Sequence, residues 1–229
     1  MYDTSIIIPC YNEERTVNSV VNKICSKFPS SLVVLVDDGS TDNSLLEVEK
    51  INSTNLKIIA LEKNMGKGFA MRTGLDFIKG KSEVVLFTDA DEEIDVDDLG
   101  KVLSLYQNIE IDIVFGSRFL NFKNIDKFRM GIHRYLANKF LTLITNLIYS
   151  QQLTDMETAV KSFRTKLTDN LNLQSNGFDI EPEMVKELAK LKLKIYEVGI
   201  SYNPRSSIEG KKISFKDGVI TLFYLLKNR

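Results

Sequence analysis

The chain has 229 residues, of which 43% are hydrophobic and 27% charged, and this is enough for one sizeable core. Its formal net charge of −1 hides an asymmetry, because residues 1–110 contain 11 Lys or Arg and 19 Asp or Glu, whereas residues 111–229 contain 19 and 12. The basic half suits phosphate groups or an anionic surface, although scattered lysines most often form a solvated face. We expect no nucleic-acid partner.

Two cysteines, Cys10 and Cys25, are too few for a disulfide framework and lack metal-ligand spacing, which predicts a reducing compartment. No apolar run approaches the length of about 18 residues that a membrane-spanning helix requires. We therefore expect a cytoplasmic protein that is either soluble or attached peripherally to the inner face of a membrane.

Strand and helix patterns alternate through the first half of the chain. Short apolar runs predict strands over residues 4–9, 32–37, 56–61, 84–88 and 113–115. The stretches between them predict helices over residues 16–27, 41–51, 67–78 and 96–106. Such alternation predicts an α/β fold whose crossover units form a mainly parallel, twisted sheet flanked by helices.

In the second half of the chain, predicted strands and helices no longer alternate regularly. Its pattern predicts a long amphipathic helix over residues 132–149, a helix over 183–191, a strand over 194–198 and a terminal amphipathic helix over 214–227. No linker divides the chain into independent units. We therefore predict a single domain, in which residues 1–120 form one half and residues 121–229 form a C-terminal extension.

The most informative polar residues are Asp89 and Asp91, which follow the buried strand predicted over residues 84–88. Two carboxylates at i and i+2 cannot stay buried without partners, but at the carboxyl edge of an open α/β sheet they can face a ligand. Oxygen ligands suit Mg²⁺ or Mn²⁺, with water and a substrate phosphate completing the shell. The alternative role, starting a helix, we assign to three later acids: Asp95, Asp97 and Asp98.

Two earlier strands also end in polar residues, which occupy positions 9–14 and 37–40. Because parallel strands share a direction, these residues should meet the acid pair at one edge of the sheet and form a nucleotide pocket. Asp38 could accept a hydrogen bond from a base or ribose, and Tyr11 could pack on the base. Taken alone, Asp-Gly-Ser at positions 38–40 is most often a turn with a helix cap.

Residues 64–68, Asn-Met-Gly-Lys-Gly, suggest a phosphate-binding loop but match neither common form. Leu61 stands where a Walker A loop has its first glycine, and Gly68 replaces its Ser or Thr. A dinucleotide fingerprint would need a small residue in place of Met71. The segment is therefore more simply a tight turn between strand and helix, from which Lys67 can approach the pocket.

Two arginines in the second half are candidates for phosphate contact. Arg118 follows the strand predicted over residues 113–115, and Arg134 lies near the start of the long helix. Both suit bidentate phosphate binding or an ordinary surface position. His133 is the only histidine, which argues against a histidine metal cluster and a Ser-His-Asp triad.

Two acid pairs in the second half could each supply a general base. Asp155 and Glu157 follow the long helix, and Glu181 and Glu183 come later. For Glu181 and Glu183 we prefer an ordinary position at a helix N-terminus around Pro182.

Five segments, in this order and at these separations, resemble family-two glycosyltransferases with the GT-A fold: residues 6–14, 36–42, 63–68, 89–91 and 116–118. The likeness extends over essentially the whole chain. In the second half, residues 154–158, 178–183 and 209–213 resemble the branch that contains dolichyl-phosphate mannose synthases and bacterial polyprenyl-phosphate glucosyltransferases.

The resemblance implies that residues 1–120 bind a nucleotide-sugar donor and that residues 121–229 face the acceptor. It implies Mg²⁺ or Mn²⁺ bound by Asp89 and Asp91, with Glu93 as a further ligand. Asp155 becomes the candidate base or acceptor-orienting residue and acts in catalysis together with Asp91. Besides Asp89 and Asp91, the implied donor-binding residues are Pro9, Tyr11, Glu13, Asp38, Lys67, Ala90, Arg118, Arg134, Arg205 and Lys211.

The implied reaction is a single inverting displacement that moves a hexose to a polyprenyl phosphate, with a UDP-glucose-like donor favoured over GDP-mannose. One alternative is a soluble glycosyltransferase that acts on a glycan or protein. Another is nucleotidyl transfer, for which residues 10–13 lack the expected basic glycine-rich loop. Residues 128–149 combine basic residues with a broad apolar surface, so this segment either packs in the core or borders a membrane where the lipid acceptor enters.

Overall fold

The computed structural model describes residues 2–120 and 131–205. Its strands are β1 (Tyr2–Cys10), β2 (Leu32–Asp37), β3 (Leu56–Ala60), β4 (Ser82–Phe87), β5 (Ile113–Ser117), β6 (Lys161–Arg164) and β7 (Ile195–Gly199). Its α-helices are α1 (Val17–Lys27), α2 (Ser44–Glu49), α3 (Lys67–Ile78), α4 (Val96–Ser104), α5 (Ile132–Tyr149) and α6 (Ile180–Lys190). Lys211, residues 128–130 and the terminal helix predicted over 214–227 lie outside the described residues.

The seven strands form one sheet in the order β3-β2-β1-β4-β6-β5-β7. Strand β6 is antiparallel to both of its neighbours, β4 and β5, and the other pairings are parallel. The prediction of a mainly parallel sheet is therefore confirmed. The sequence pattern predicts no strand over Lys161–Arg164, because this short segment is charged at both ends. Its extended conformation comes from the two strands that flank it.

Helices cover both faces of the sheet, and successive residues of a buried strand point to opposite faces. In β1, Ile7 packs in the core beside α3 and α6, whereas Ile6 and Ile8 pack in the core beside α1 and α4. All six residues of β2 are buried. Burial on both faces explains why these strands are continuous apolar runs, which is the pattern that made them recognisable.

Helix α2 is shorter than the helix predicted over residues 41–51. The N–H groups of Thr41 and Asn43 donate to the side chains of Asn12 and Glu14 at 2.8 and 3.1 Å. Residues 41–43 therefore belong to the loop after β2, which is held against the loop after β1.

Strands β1, β2, β4 and β5 all end at one edge of the sheet. The register pairs Cys10 of β1 with Asp37 of β2, and Ile7 of β1 with Phe87 of β4. Because β6 runs in the opposite direction, it begins at this edge, with Lys161 opposite Phe87. The loops at this edge therefore lie side by side, where open α/β sheets bind their ligands.

Candidate functional site

Four of the five residues at positions 89–93, after β4, are acidic, and three of them bear on the site: Asp89, Asp91 and Glu93. Asp91 Oδ1 accepts a hydrogen bond from the backbone N–H of Glu93 at 3.1 Å. Burial, followed by the charges of Asp89 and Glu93, raises the pKa of Asp91 to about 7, although Arg205 counteracts this shift. Because this pKa already includes the effect of Arg205, a further positive charge next to Asp91 would favour its ionised form.

Arg205 binds acids from two of the loops at this edge. Its guanidinium donates to the Glu13 carboxylate at 2.7 and 3.1 Å and to Asp91 Oδ2 at 3.0 Å. Its backbone N–H donates to Glu93 Oε1 at 2.7 Å, and the Tyr202 hydroxyl donates to Glu93 Oε2 at 2.9 Å. Residues 202–205 are thereby tied to the loops after β1 and β4.

The acids after β4 fit a hard divalent cation in their chemistry, but they do not form a complete protein cage. Within residues 2–120 and 131–205, no group of three or more Asp, Glu, His or Cys is arranged to hold a metal ion. Two carboxylates such as Asp89 and Asp91 are nevertheless what Mg²⁺ commonly takes from a protein when water and substrate phosphates complete its shell. The raised pKa of Asp91 is a second feature that suits a cation.

Asp38, at the end of β2, is buried, and both of its carboxylate oxygens accept backbone hydrogen bonds. The nitrogens of Met65 and Gly66 lie 2.7 Å from Oδ1 and 2.8 Å from Oδ2, respectively. Burial raises the pKa of Asp38, and these hydrogen bonds oppose the rise. Asp38 thus fixes the turn before α3 against β2, while its contact with a base or ribose stays a prediction.

Lys67, the first residue of α3, lies between acids from two distant segments. Its Nζ is 2.8 Å from Asp89 Oδ1 and 2.9 Å from Glu181 Oε1. Burial opposes its charge, but Asp89 and Glu181 together raise the pKa of Lys67 above its ordinary value. Lys67 therefore reaches the acid pair from its turn, whereas its contact with a donor stays a prediction.

The glycines on either side of Lys67 allow another segment of the chain to approach closely. A Cβ on Gly66 or Gly68 would lie 2.3 Å from the carbonyl oxygen of Asn176 or Ser175, respectively. The N–H groups of Gly68 and Phe69 donate to the Asn176 carbonyl at 2.7 and 3.2 Å. The start of α3 is therefore capped by a protein carbonyl, which agrees with a tight turn rather than a phosphate loop.

Glu181 and Glu183 lie in the first turn of α6, as the sequence predicts, but their carboxylates bind groups outside this helix. Glu181 contacts Lys67 and also Lys161, whose Nζ is 2.5 Å from Glu181 Oε2. Glu183 Oε2 accepts from the backbone N–H groups of residues 174 and 175 at 3.0 and 2.8 Å. Their main contacts are therefore tertiary, which a helix-start pattern does not reveal.

Arg118 and Asp155 form a bidentate pair at the end of β5. Arg118 Nε and Nη2 each lie 2.7 Å from an oxygen of Asp155, and the Arg118 backbone nitrogen lies 3.0 Å from Oδ2. Asp155 is fully buried. Burial opposes the charge of Arg118, but Asp155 outweighs it and raises the pKa of Arg118. The carboxylate of Asp155 thus holds the guanidinium in a fixed plane.

Glu197 of β7 binds the backbone next to this pair. Its carboxylate oxygens accept the backbone N–H groups of Thr154 and Asp155 at 2.7 and 3.1 Å. Glu157 lies two residues beyond Asp155. Its buried Oε1 has no hydrogen-bond partner among the described residues, and burial raises the pKa of Glu157 to about 7. The part of the site at the end of β5 is therefore built from buried charges.

The other predicted site residues lie around this edge. Pro9 and Tyr11 are half-buried at and just after the end of β1. Ala90 is buried, and its carbonyl accepts from the Thr16 hydroxyl at 2.8 Å. Arg134 is half-buried in the first turn of α5. The donor-binding roles of these residues stay predictions.

Sequence reasoning missed Lys161 and Glu197 and gave Glu181 only a local role. Lys161 begins a strand that the pattern does not predict, and Glu197 lies within a predicted strand without any motif around it. The one usable signal was the position of Lys161 shortly after Asp155 and Glu157, in a stretch that already held candidate acids. Each of these residues joins the site through a contact with a residue that is distant in the sequence.

Known proteins resemble this chain in sequence. The profile of the family described as "Glycosyl transferase family 2" matches residues 5–171. The low-salt glycan biosynthesis hexosyltransferase Agl6 of Haloferax volcanii is 25% identical over 98% of this chain, which spans only 53% of that protein. The UDP-N-acetylglucosamine–dolichyl-phosphate N-acetylglucosaminyltransferase of Methanococcus voltae is 29% identical, over 97% of this chain and 95% of its own length.

A solved structure resembles it in fold. The glucosyl-3-phosphoglycerate synthase of Mycobacterium tuberculosis, in complex with Mn²⁺ and UDP-glucose, superposes with a TM-score of 0.71 at 17% identity. The match covers 98% of this chain and 79% of that one. The predicted GT-A fold is therefore confirmed. Since the family profile covers well over half of the residues, this chain belongs to glycosyltransferase family 2.

Proposed function

We propose that this glycosyltransferase moves a hexose from a nucleoside-diphosphate sugar to a polyprenyl phosphate, with inversion at the anomeric carbon. The Methanococcus voltae relative is named for a UDP-sugar donor and a dolichyl-phosphate acceptor, and it matches this chain along nearly its whole length. The Mycobacterium tuberculosis structure holds UDP-glucose and Mn²⁺ in the same fold. A UDP-hexose is therefore the first donor to test, with GDP-mannose second.

The observation that carries the proposal is a pair of charge clusters at neighbouring positions of the sheet edge. Asp89 and Asp91 follow β4 and are joined there by Lys67 of α3, whereas Arg118 follows β5 and is joined there by Asp155 from the segment after α5. Only β6 separates these two strands. This spacing would set a donor diphosphate beside the first cluster and an acceptor phosphate beside the second.

On the donor side, Asp89 and Asp91 would hold the divalent metal, and Glu93 would join them. When bound, the metal would stabilise the negative charge on the departing nucleoside diphosphate. Lys67 would add a fixed positive charge next to Asp89. The nucleoside would lie against residues at or just after the ends of β1, β2 and β4: Pro9, Tyr11, Glu13, Asp38 and Ala90. Arg205 and Lys211 would close over it.

On the acceptor side, Arg118 would bind the acceptor phosphate with help from Arg134, because a guanidinium can donate hydrogen bonds to two phosphate oxygens at once. A lipid phosphate is already an anion at neutral pH, so its attacking oxygen needs little deprotonation. We therefore assign Asp155 to orient Arg118 rather than to remove a proton. Glu197 would hold Asp155 in place through its backbone.

Helix α5 exposes a row of large apolar side chains, although Leu141, Ile144 and Ile148 pack towards the core. Five large apolar residues of this helix are 52–71% exposed: Ile132, Leu136, Phe140, Leu143 and Leu147. The side that faces the protein buries Thr142 and Thr145 together with Leu141. The helix has no acidic residue and carries His133, Arg134 and Lys139. A helix with an apolar outer face and basic but no acidic residues suits the surface of an anionic membrane.

A peripheral membrane contact through α5 therefore forms part of the proposal. Among the described residues, no helix is both long enough and apolar enough to cross a bilayer. Arg134 lies on the first turn of α5, and Lys139 Nζ donates to the carbonyl of Thr154 at 3.1 Å, next to Asp155. A helix lying on the membrane would thus bring a lipid head group close to the Arg118–Asp155 pair.

Binding and transfer assays test the proposal. Thermal-shift titrations with UDP-glucose and GDP-mannose, each with Mn²⁺ and with EDTA, should show metal-dependent stabilisation by one donor. Transfer is then measured to polyprenyl phosphate, 3-phosphoglycerate, a glycan and a peptide, and we expect label in the lipid alone. Transfer to a water-soluble acceptor without transfer to lipid would assign a soluble glycosyltransferase. Formation of a nucleotide sugar from a sugar phosphate and a nucleoside triphosphate would assign nucleotidyl transfer.

A further inference from the structure

A line of four side chains with alternating charge runs from the acid pair into the core. Asp89 contacts Lys67 at 2.8 Å, and Lys67 contacts Glu181 at 2.9 Å. Glu181 in turn contacts Lys161 at 2.5 Å. Asp89 is the most exposed member, with 30% of its side chain accessible, whereas Lys161 is fully buried. The line therefore connects a group at the edge of the sheet to a fixed charge inside the protein.

Glu181 is the centre of this line and is poorly suited to accept a proton. Burial disfavours its charge, but Lys161 and Lys67 outweigh burial and lower the pKa of Glu181 to about 2. Each of its oxygens contacts a different lysine. A carboxylate held in this way serves as a rigid support for a cation rather than as a general base.

The contact between Glu181 and Lys67 depends on the close approach of two segments. Gly68 lies against Ser175, Asn176 and the start of α6, and a Cβ at Gly68 would be 3.0 Å from the Cβ of Ile180. Any larger residue would push α6 away from α3. The glycine after Lys67 thus brings Glu181 within reach of the Lys67 ammonium.

We propose that Glu181 is a positioning residue for donor binding, which acts through Lys67 on the carboxylate of Asp89. Lys67 is a flexible side chain, and Glu181 fixes its ammonium at one place beside Asp89. Asp89 is thereby held in one orientation towards the metal and the donor diphosphate. This role rests on the proposed function, in which Asp89 lies on the donor side.

A double-mutant cycle on donor affinity tests this role. The variants are Glu181→Gln, Lys67→Met and the combination of both, and the probe is UDP-glucose with Mn²⁺, or GDP-mannose if that donor gives the larger thermal shift. We expect Glu181→Gln to raise the donor Kd by roughly tenfold in the wild-type background. In the Lys67→Met background it should change the donor Kd by less than about twofold, because the residue through which Glu181 acts is gone.

Glu187→Gln is the matched control. Glu187 lies on the same helix, is similarly buried at 6% exposure against 5% for Glu181, and contacts Lys190 at 2.6 Å. We expect this variant to lower Tm but to leave the donor Kd unchanged. If Glu181→Gln does not fold, Glu181→Asp replaces it, because aspartate keeps the charge but is too short to contact both lysines.

Three outcomes would overturn the inference. Equal losses of donor affinity from Glu181→Gln in both backgrounds would show that Glu181 does not act through Lys67. A loss of Tm with an unchanged Kd would show a structural role, and a loss of kcat with an unchanged Kd would show a catalytic one. Wild-type protein that binds neither nucleotide sugar would overturn the proposed function as well, and so the two failures are distinguishable.

Discussion

The proposed donor side and the proposed acceptor side of the site are built differently. On the donor side, formed by the loops after β1, β2 and β4, the acids come within a few residues of the end of their own strand, as Asp38 follows β2. On the acceptor side, formed around the end of β5, the charges come from separated segments. Arg118 and Asp155 are 37 residues apart, and Asp155 and Glu197 are 42 apart.

The two sides also differ in burial. The side chain of Asp89 is 30% accessible, whereas Asp155 is fully buried. A buried charge is tolerated only with its partner in place, so removing one partner costs about 3–5 kcal/mol. Substitutions on the donor side should therefore affect activity without unfolding the protein, and those on the acceptor side should affect both.

The largest effect is expected on the donor side, from Asp91→Asn. This change removes one of the three proposed metal ligands, so transfer should fall by about 100-fold or more and metal-dependent donor binding should weaken. Asp97→Asn is the control, because Asp97 is 59% accessible and pairs only with Lys27 in a surface contact. Both variants are compared with wild type in transfer assays and Mn²⁺ titrations. Full activity of Asp91→Asn in EDTA would rule out the proposed metal site.

Asp155→Asn should give the next largest effect. It tests whether the acceptor side acts separately from the donor side. Arg118 loses the carboxylate that orients it, so kcat should fall by about 10- to 100-fold while donor affinity stays nearly constant. The free energy of unfolding should fall by about 3 kcal/mol, because Arg118 is left without its partner. Steady-state kinetics and chemical denaturation measure these quantities. A preserved kcat with a large loss of donor affinity would move Asp155 to the donor pocket.

Arg205→Gln tests the link between Arg205 and the acid pair. Arg205 binds Asp91 and Glu13, so it competes with a metal ion for the same charge. Without donor, the variant should bind Mn²⁺ several-fold more tightly than wild type. Electron paramagnetic resonance of free Mn²⁺ measures this affinity. Unchanged or weaker binding would mean that Arg205 does not occupy the position of the metal.

Leu136→Glu tests the membrane contact of the acceptor side. An acid in the centre of the apolar face of α5 should reduce co-sedimentation with anionic liposomes several-fold, and added salt should weaken binding of the wild type. Leu46→Glu is the matched control, because Leu46 of α2 is equally exposed at 59% but lies elsewhere on the molecule. Equal liposome binding by the two variants would show that α5 does not face lipid.

The smallest effect concerns Glu157 and the pH dependence of stability. Its pKa of about 7 lies above its ordinary value of 4.5, so the native state binds the extra proton and stability falls as pH rises between these values. Glu157→Gln removes this loss. The difference in Tm between variant and wild type should therefore grow in favour of the variant from pH 5 to pH 8. A difference that does not change with pH would mean that Glu157 titrates normally.

The sequence predicted most of the donor side and little of the support of the acceptor side. Asp38, Asp89 and Asp91 each follow a continuous apolar run, so their strand ends, and hence their shared edge, could be inferred. Lys161 lies in a strand that exists only because β4 and β5 flank it. No local pattern contains that information, because the partners are distant in the chain.

Helix α5 shows a second limit of sequence reasoning. Its apolar stripe predicts an amphipathic helix over residues 132–149, which is correct. The stripe alone does not tell which side faces the core, because leucines on a helix are usually buried. Only the fold shows that Thr142 and Thr145 face inward with Leu141, whereas Leu136, Leu143 and Leu147 face outward.

The most direct test of the account is transfer from a labelled nucleotide sugar to polyprenyl phosphate in anionic liposomes, with Mn²⁺, by wild-type protein and by Asp91→Asn. We predict that the wild type forms a labelled lipid whose anomeric configuration, read by nuclear magnetic resonance, is opposite to that of the donor. Asp91→Asn should form almost none. A lipid product of retained configuration, or no lipid product from wild-type protein that still binds the donor, would contradict the account.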